Sequence, residues 1–286
     1  MGKIHDALQR AETLRRGGPE APAVEPAALD LGAPASPEPA PAPAVRSGWL
    51  PRRKKKAALE APLSHANDAV LVGGVDTPYS EEYRTLRARI QSLRRTRELR
   101  SIVVSSTRPS EGKTTTAVNL ALSFGLERET TTCLVDADLR TPRVHKAFGN
   151  AGLVGLAEVL EGDAKLEEAL IPVPNTRLMV LPVKALPTAP SELLSSRAMT
   201  ELVAELHTRF NTVIFDAPPV LGLPDTVTLV DLCDSALFVV GAGRAPREDV
   251  ESALERLEAA KVIGVVLNRC DRHEIGYLGA YGYGKS

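Results

Sequence analysis

Residues 101–125, SIVVSSTRPSEGKTTTAVNLALSFG, constrain this chain more than any other stretch. An apolar strand around Ile102 to Val104 runs into a polar turn closing on Gly112-Lys113-Thr114, and an amphipathic helix follows. That order builds an anion cradle. The first N–H groups of a helix have no intrahelical acceptor, and the helix dipole adds positive potential at the same place. The cradle is expected to run through Ser110, Glu111, Gly112, Lys113, Thr114 and Thr115. Lys113 is placed to reach β- and γ-phosphates, and the Thr114 hydroxyl to ligate Mg²⁺. The expected ligand is a nucleoside triphosphate.

Two residues depart from the strict P-loop pattern. Thr107 stands where that pattern has glycine, and Ser110 where a second turn glycine would sit easily. A non-glycine there has to accept the turn's backbone angles or carry strain. A lone Gly-Lys-Thr at a helix start is the competing reading. Two acidic strand ends downstream argue against it.

The strand Thr132 to Val135 ends in Asp136-Ala137-Asp138. Isolated charges at the end of a buried strand are costly, and a divalent metal accounts for them. The alternative is a helix cap plus a surface acid. The strand Thr212 to Phe215 closes on Asp216-Ala217-Pro218-Pro219, a Walker-B pattern whose acid meets Mg²⁺ through water. The candidate metal set is therefore Thr114, Asp136, Asp138 and Asp216. Lys113, Asp136 and Asp138 are the candidate catalytic groups, either aspartate serving as proton acceptor. Asn268 ends the last strand, and is placed at the edge of the nucleotide base or simply closes a strand.

Four zones divide the chain. Residues 1–16 carry Ile4, Ala7, Leu8 and Ala11 at helical spacing and form a short amphipathic helix. Residues 17–77 are Pro/Ala-rich, a disordered extended linker with a basic run from Arg52 to Lys56 beside Trp49. Residues 78–276 form the folded domain, and 277–286 a Tyr/Gly-rich tail. Within the domain, Tyr83, Leu86, Ile90 and Leu93 predict a helix over 79–98. Short apolar runs predict strands at 101–106, 132–137, 177–182, 212–216, 235–240 and 262–267. Helices are expected at 113–127, 154–161, 191–209, 225–232 and 247–260. This alternation predicts an α/β fold, a doubly wound, mostly parallel sheet of the P-loop NTPase type with its ligand at the strand C-termini.

Net charge is −1, which removes any general pull toward nucleic acid. No apolar run approaches the ~20 residues a bilayer span needs. Cys133, Cys233 and Cys270 lie far apart in or beside apolar segments, as reduced cysteines do. A cytoplasmic location is expected.

Together these residues resemble the bacterial tyrosine kinases of capsule and exopolysaccharide biosynthesis, which share a deviant-Walker ATPase fold. The blocks that carry the likeness are PSEGKTT at 109–115, LVDADLRTPRVHKAFG at 134–149, GLVGLAEVLEG at 152–162, LPTAPSELLSS at 186–196 and FDAPPVLGLPDT at 215–226. Ala189 replaces an Asn common in the family. The resemblance covers roughly 78–286 and implies ATP and Mg²⁺ as cofactors. It implies that Glu81, Arg84 and Arg87 (ExxRxxR) mediate assembly of a ring, though an intrahelical Glu–Arg pair is the other reading of that spacing. It also makes Tyr277, Tyr281 and Tyr283 the phosphoacceptors, reached in trans from a neighbouring subunit. The fused membrane segment of some members is absent from this sequence. The implied partner is therefore a separate membrane activator, a chain-length co-polymerase acting through its cytoplasmic tail, with peripheral association at the inner membrane. A partition or cell-division positioning ATPase of the same fold is the runner-up, with Arg108 in the slot of its signature lysine. A nucleotide-gated scaffold with little catalysis is the third reading.

Overall fold

The computed structural model describes residues 78–148, 154–257 and 261–270. The N-terminal helix, the linker with Trp49 and its basic run, and the tail with Tyr277, Tyr281 and Tyr283 lie outside the described residues. Helix α1 (Pro78–Leu93) leads into β1 (Ser101–Ser106), α2 (Lys113–Gly125), β2 (Thr132–Asp136) and the short α3 (Val144–Phe148). Helices α4 (Leu156–Glu161) and α5 (Leu166–Ala169) precede β3 (Ile171–Pro172), β4 (Leu178–Leu181), α6 (Pro190–Leu194) and α7 (Arg197–Arg209). The described chain then runs through β5 (Thr212–Asp216), α8 (Asp225–Leu232), β6 (Ser235–Gly241), α9 (Arg247–Arg256) and β7 (Val262–Asn268).

The strands form one seven-stranded sheet in the order β3-β4-β2-β5-β1-β6-β7. Every pairing is parallel except the edge pair β3–β4. Each central strand is apolar at successive positions because each faces a core on both sides. Ile102, Val104, Leu134, Ile214 and Leu237 point to one face, where Ala117, Leu120 and Phe124 of α2 and Ile90 of α1 cover them. Val103, Val135, Val213, Phe215 and Phe238 point to the other, against Leu156, Met199, Leu206, Leu229 and Val250. This period of two is the strand's own alternation. Helix α2 packs close enough to the sheet that a Cβ on Gly125 would meet the Leu178 Cβ at 2.7 Å.

The doubly wound parallel sheet is as the sequence predicts, with differences at helix ends and at the sheet edge. The helix expected over 79–98 stops at Leu93, where the Thr96 hydroxyl donates to the Leu93 carbonyl at 3.1 Å and the chain turns. The helix expected over 191–209 is two helices. Ser195 Oγ donates back to the Ser191 carbonyl at 2.9 Å, and the Ser196 side chain caps α7 by accepting from Met199 N at 3.1 Å. Serine hydroxyls compete with the helix for backbone groups, and two in succession end one helix and start the next. The antiparallel edge strand β3, two residues long, and the short helices α3 and α5 carry too little periodicity to be read beforehand.

Candidate active site

The site lies at the C-terminal ends of β1, β5 and β2. Register pairs Val104 with Asp216 and Asp136 with Asp216, so both acids end adjacent strands at one level. Strand spacing of about 4.8 Å holds them side by side. The loop after β1 is tied to the exit of β5: Val220 N donates to the Ser106 carbonyl at 2.9 Å and Ser105 Oγ to the Pro218 carbonyl at 2.6 Å.

Gly112 is the residue before α2, with φ 100° and no side chain to cap the helix. The first N–H groups of α2 are therefore left for an external acceptor. A Cβ on Gly112 would lie 1.9 Å from Asn268 Nδ2, so only glycine fits. Ser110 adopts φ 68°, the left-handed region expected to trouble a non-glycine. Thr107 is outside that region, so its departure from the pattern needs no unusual backbone.

Glu111, read from sequence as part of the cradle, turns its carboxylate inward and is fully buried. It accepts Arg108 N at 2.7 Å and Gly241 N at 3.2 Å, tying the loop to the end of β6. Asn268 braces the same turn: its Nδ2 donates to the Glu111 carbonyl at 2.9 Å. Both side chains thus serve the loop's backbone. Sequence spacing held no sign of this, because Gly241 and Asn268 meet the turn only through the sheet. Arg108 forms an ion pair with Asp249 of α9 at 2.5 Å.

Lys113 begins α2 and is 7% exposed. Its Nζ lies 2.8 Å from Asp138 Oδ2 and 3.7 Å from Asp216 Oδ1. Burial alone would lower the lysine pKa, but Asp216, Asp138 and Asp136 together outweigh it and hold the ammonium charged. Asp138 is also pushed up by burial, yet Lys113 and the Thr141 N–H and hydroxyl win, and its pKa falls below the ordinary value. Thr141 N donates to Asp138 Oδ1 at 2.9 Å.

Asp136 and Asp216 behave oppositely. Asp136 is fully buried and accepts one bond, from Val144 N at 3.0 Å, leaving Oδ1 without a partner. Burial first, and Asp216 next, raise its pKa well above normal. Neither oxygen of Asp216 makes a hydrogen bond of ordinary geometry, although Lys113 Nζ stands 3.7 Å from Oδ1. Burial raises it to about 6, with Lys113 and the Thr114 hydroxyl pulling the other way.

Three buried carboxylate oxygens without a hydrogen bond call for a further cation. Among the described residues no three His, Cys, Asp or Glu side chains converge into a metal cage. Mg²⁺ needs no such cage: it keeps several waters and takes one or two carboxylates plus substrate phosphates. Asp216, Asp136 and the Thr114 hydroxyl fit it, whereas both Asp138 oxygens are engaged by Lys113 and Thr141.

An unforeseen network flanks the site. Arg140 Nε donates to Asp225 Oδ2 at 2.8 Å, Arg140 Nη2 to Ser191 Oγ at 2.9 Å, and Ser191 Oγ to Asp225 Oδ1 at 2.5 Å. It ties the segment after β2 to the starts of α6 and α8. On α1, Arg84 pairs with Glu81 within the helix. Arg87 reaches instead to the Ser123 carbonyl on α2 and lies 3.3 Å from Glu127.

A family model described as an AAA domain matches residues 99–261. Tyrosine-protein kinase YwqD of Bacillus subtilis (strain 168) is 38% identical over 205 residues, 70% of this chain and 86% of that protein. The chain belongs to the bacterial tyrosine kinase family. The kinase domain of Escherichia coli tyrosine kinase ETK superposes on this kinase with a TM-score of 0.65 at 27% identity, covering 74% of this chain and 84% of that one. The succinoglycan biosynthesis transport protein ExoP of Rhizobium meliloti (strain 1021) is 32% identical over 210 residues, 71% of this kinase but only 27% of that protein. Among the described residues no helix of the kinase is long and apolar enough to cross a membrane.

Proposed function

We propose that this protein is an ATP-dependent tyrosine autokinase that regulates polymerisation and export of a capsule or exopolysaccharide. The observation that carries the reading is the contact of Lys113 with Asp138 beside Asp136 and Asp216, three of whose four carboxylate oxygens make no hydrogen bond. Phosphoryl transfer demands positioning and charge neutralisation more than covalent chemistry. Gly112 and the first turn of α2 hold the phosphates, and Lys113 turns from Asp138 to meet them. Asp216, Asp136 and Thr114 hold Mg²⁺, which, when bound, offsets charge on the phosphate oxygens. Asp138 accepts the tyrosine proton. Its carboxylate is kept weakly basic by Lys113, so departure of that ammonium toward the phosphates makes it a better base.

The acceptors are Tyr277, Tyr281 and Tyr283, presented by one subunit to the next in a ring. Glu81 and Arg84 contribute to that ring from the exposed side of α1. A separate membrane protein of polysaccharide transport supplies activation through its cytoplasmic segment and holds the kinase at the inner membrane. The likeness to ExoP supports this: this chain matches only a part of a transport protein. Purified full-length chain incubated with labelled ATP and Mg²⁺ tests the reading by phosphotyrosine mass spectrometry. Label on the three tail tyrosines supports it. Free phosphate alone would make the protein a positioning-type ATPase, and neither product would make it a scaffold. Asp138→Asn should lose transfer yet keep Mg²⁺-dependent nucleotide binding, whereas Asp136→Asn should lose both.

A further inference from the structure

The opposite end of the sheet carries a second feature that the phosphotransfer chemistry does not use. The turn after α1 and the starts of β1 and β5 enclose an open cleft of about 450 Å³. Its lining includes Arg94, Arg95, Arg97 and Arg100, with Glu98 as the one carboxylate and Asn211 across from them. A cleft of this size lies in the range of small-ligand sites. The six residues of β1 put it about 20 Å from the nucleotide cradle.

Arg94 is the informative member. Its guanidinium carbon stands 4.9 Å from the Phe124 ring centroid. Its Nε and Nη2 are buried without an acceptor. The two carboxylates whose charge acts on it, Glu127 and Asp234, are already engaged. Glu127 takes Gln91 Nε2 at 2.9 Å and faces Arg87 at 3.3 Å. Asp234 accepts Arg100 N and Ser101 N, both at 2.8 Å. A guanidinium stays charged even when burial lowers its pKa, so its N–H groups need acceptors. Around it, Asn211 spends its Oδ1 on Thr131, which leaves that side chain a donor amide. Arg100 commits one nitrogen to the His207 carbonyl at 3.3 Å and keeps further donors. Four guanidinium groups and a donor amide line the cleft with Glu98 as the one lining carboxylate, a set that matches a multiply charged oxyanion.

We infer that this cleft binds a phosphate-bearing ligand, remote from the nucleotide cradle and independent of it. The shared chemistry is a phosphate ester or diphosphate, either free or as a lipid headgroup. Inorganic pyrophosphate titrated calorimetrically into full-length Lys113→Met protein at constant ionic strength tests the free source. The substitution cripples the P-loop as a rival site, and its melting temperature is checked so that only folded protein is titrated. Sedimentation with phosphatidylglycerol vesicles, against phosphatidylcholine vesicles, tests the headgroup source. The comparison chain carries Arg95→Gln and Arg97→Gln, both at exposed positions, and a second carries Arg94→Gln with its melting temperature checked. Pyrophosphate binding or vesicle retention weakened at least about ten-fold by either set supports the site and names its source. The basic run at 52–56 is present in all chains, so only that difference counts. Binding that neither set changes, or no binding in either arm, overturns the inference.

Discussion

Asp216→Asn should stabilise the nucleotide-free kinase at alkaline pH while destroying its chemistry. Asp216 is fully buried and neither oxygen makes a hydrogen bond of ordinary geometry. Its folded pKa is about 6, against an ordinary 3.8. A carboxylate whose folded pKa is raised binds its proton more tightly in the native state. Its folding cost is absent at low pH, grows as pH rises from 3.8 to about 6, and is complete above that. The gap corresponds to about 3 kcal/mol at pH 8 and about 1.5 kcal/mol at pH 5. Asparagine does not titrate, so its own packing and desolvation terms are the same at both pH values. The stability difference between Asn variant and wild type should therefore move in the variant's favour by about 1.5 kcal/mol between pH 5 and pH 8. Asp136, held up partly by Asp216, relaxes in the variant and adds in the same direction. Urea unfolding followed by far-ultraviolet circular dichroism, without nucleotide or Mg²⁺, measures this. A difference that is flat with pH, or that moves against the variant, would refute the reasoning. The same variant should lose the rise in melting temperature that ATP and Mg²⁺ give the wild type, since the destabilising charge is the one that holds the cation.

Lys113→Met should abolish autophosphorylation, and it strips the one ammonium from three buried acids. It should cost several kcal/mol of stability at pH 8, in line with about 3–5 kcal/mol for breaking a buried pair, and less at pH 5, as pH-resolved unfolding will read. Ser110→Gly relieves a left-handed residue at φ 68° and should gain about 1 kcal/mol in the same urea assay. Glu111→Ala releases both the Arg108 and the Gly241 N–H groups and should weaken ATP binding at least about ten-fold in calorimetry, with the sheet's circular dichroism unchanged. Arg87→Ala should lower monomer stability by about 1–2 kcal/mol through its lost contacts to α2, and Arg84→Ala should lower it less. Light scattering on the two separates assembly from helix docking.

What the chain determines locally was readable from its letters. Continuous apolar runs gave the parallel strands, because a strand covered on both faces has no polar side. The turn into Gly112-Lys113-Thr114 gave the cradle, since strand, turn and helix start are neighbours in sequence. The aspartates at strand ends pointed to metal chemistry for the same reason. Their division of labour was not readable. Asp136 and Asp138 are two positions apart, yet only the fold turns Asp138 to Lys113 and Thr141 and leaves Asp136 beside Asp216 with an unpartnered oxygen. Glu111 looks like a cradle residue until the ends of β6 and β7 reach the turn through Gly241 and Asn268. Arg87 shares a helical stripe with Glu81 and Arg84, and it is the packing of α1 on α2 that hands it to Ser123 and Glu127. Propensity and periodicity act over a few residues. Which buried charge acquires a partner depends on strand order and register, and those join residues that the sequence holds far apart.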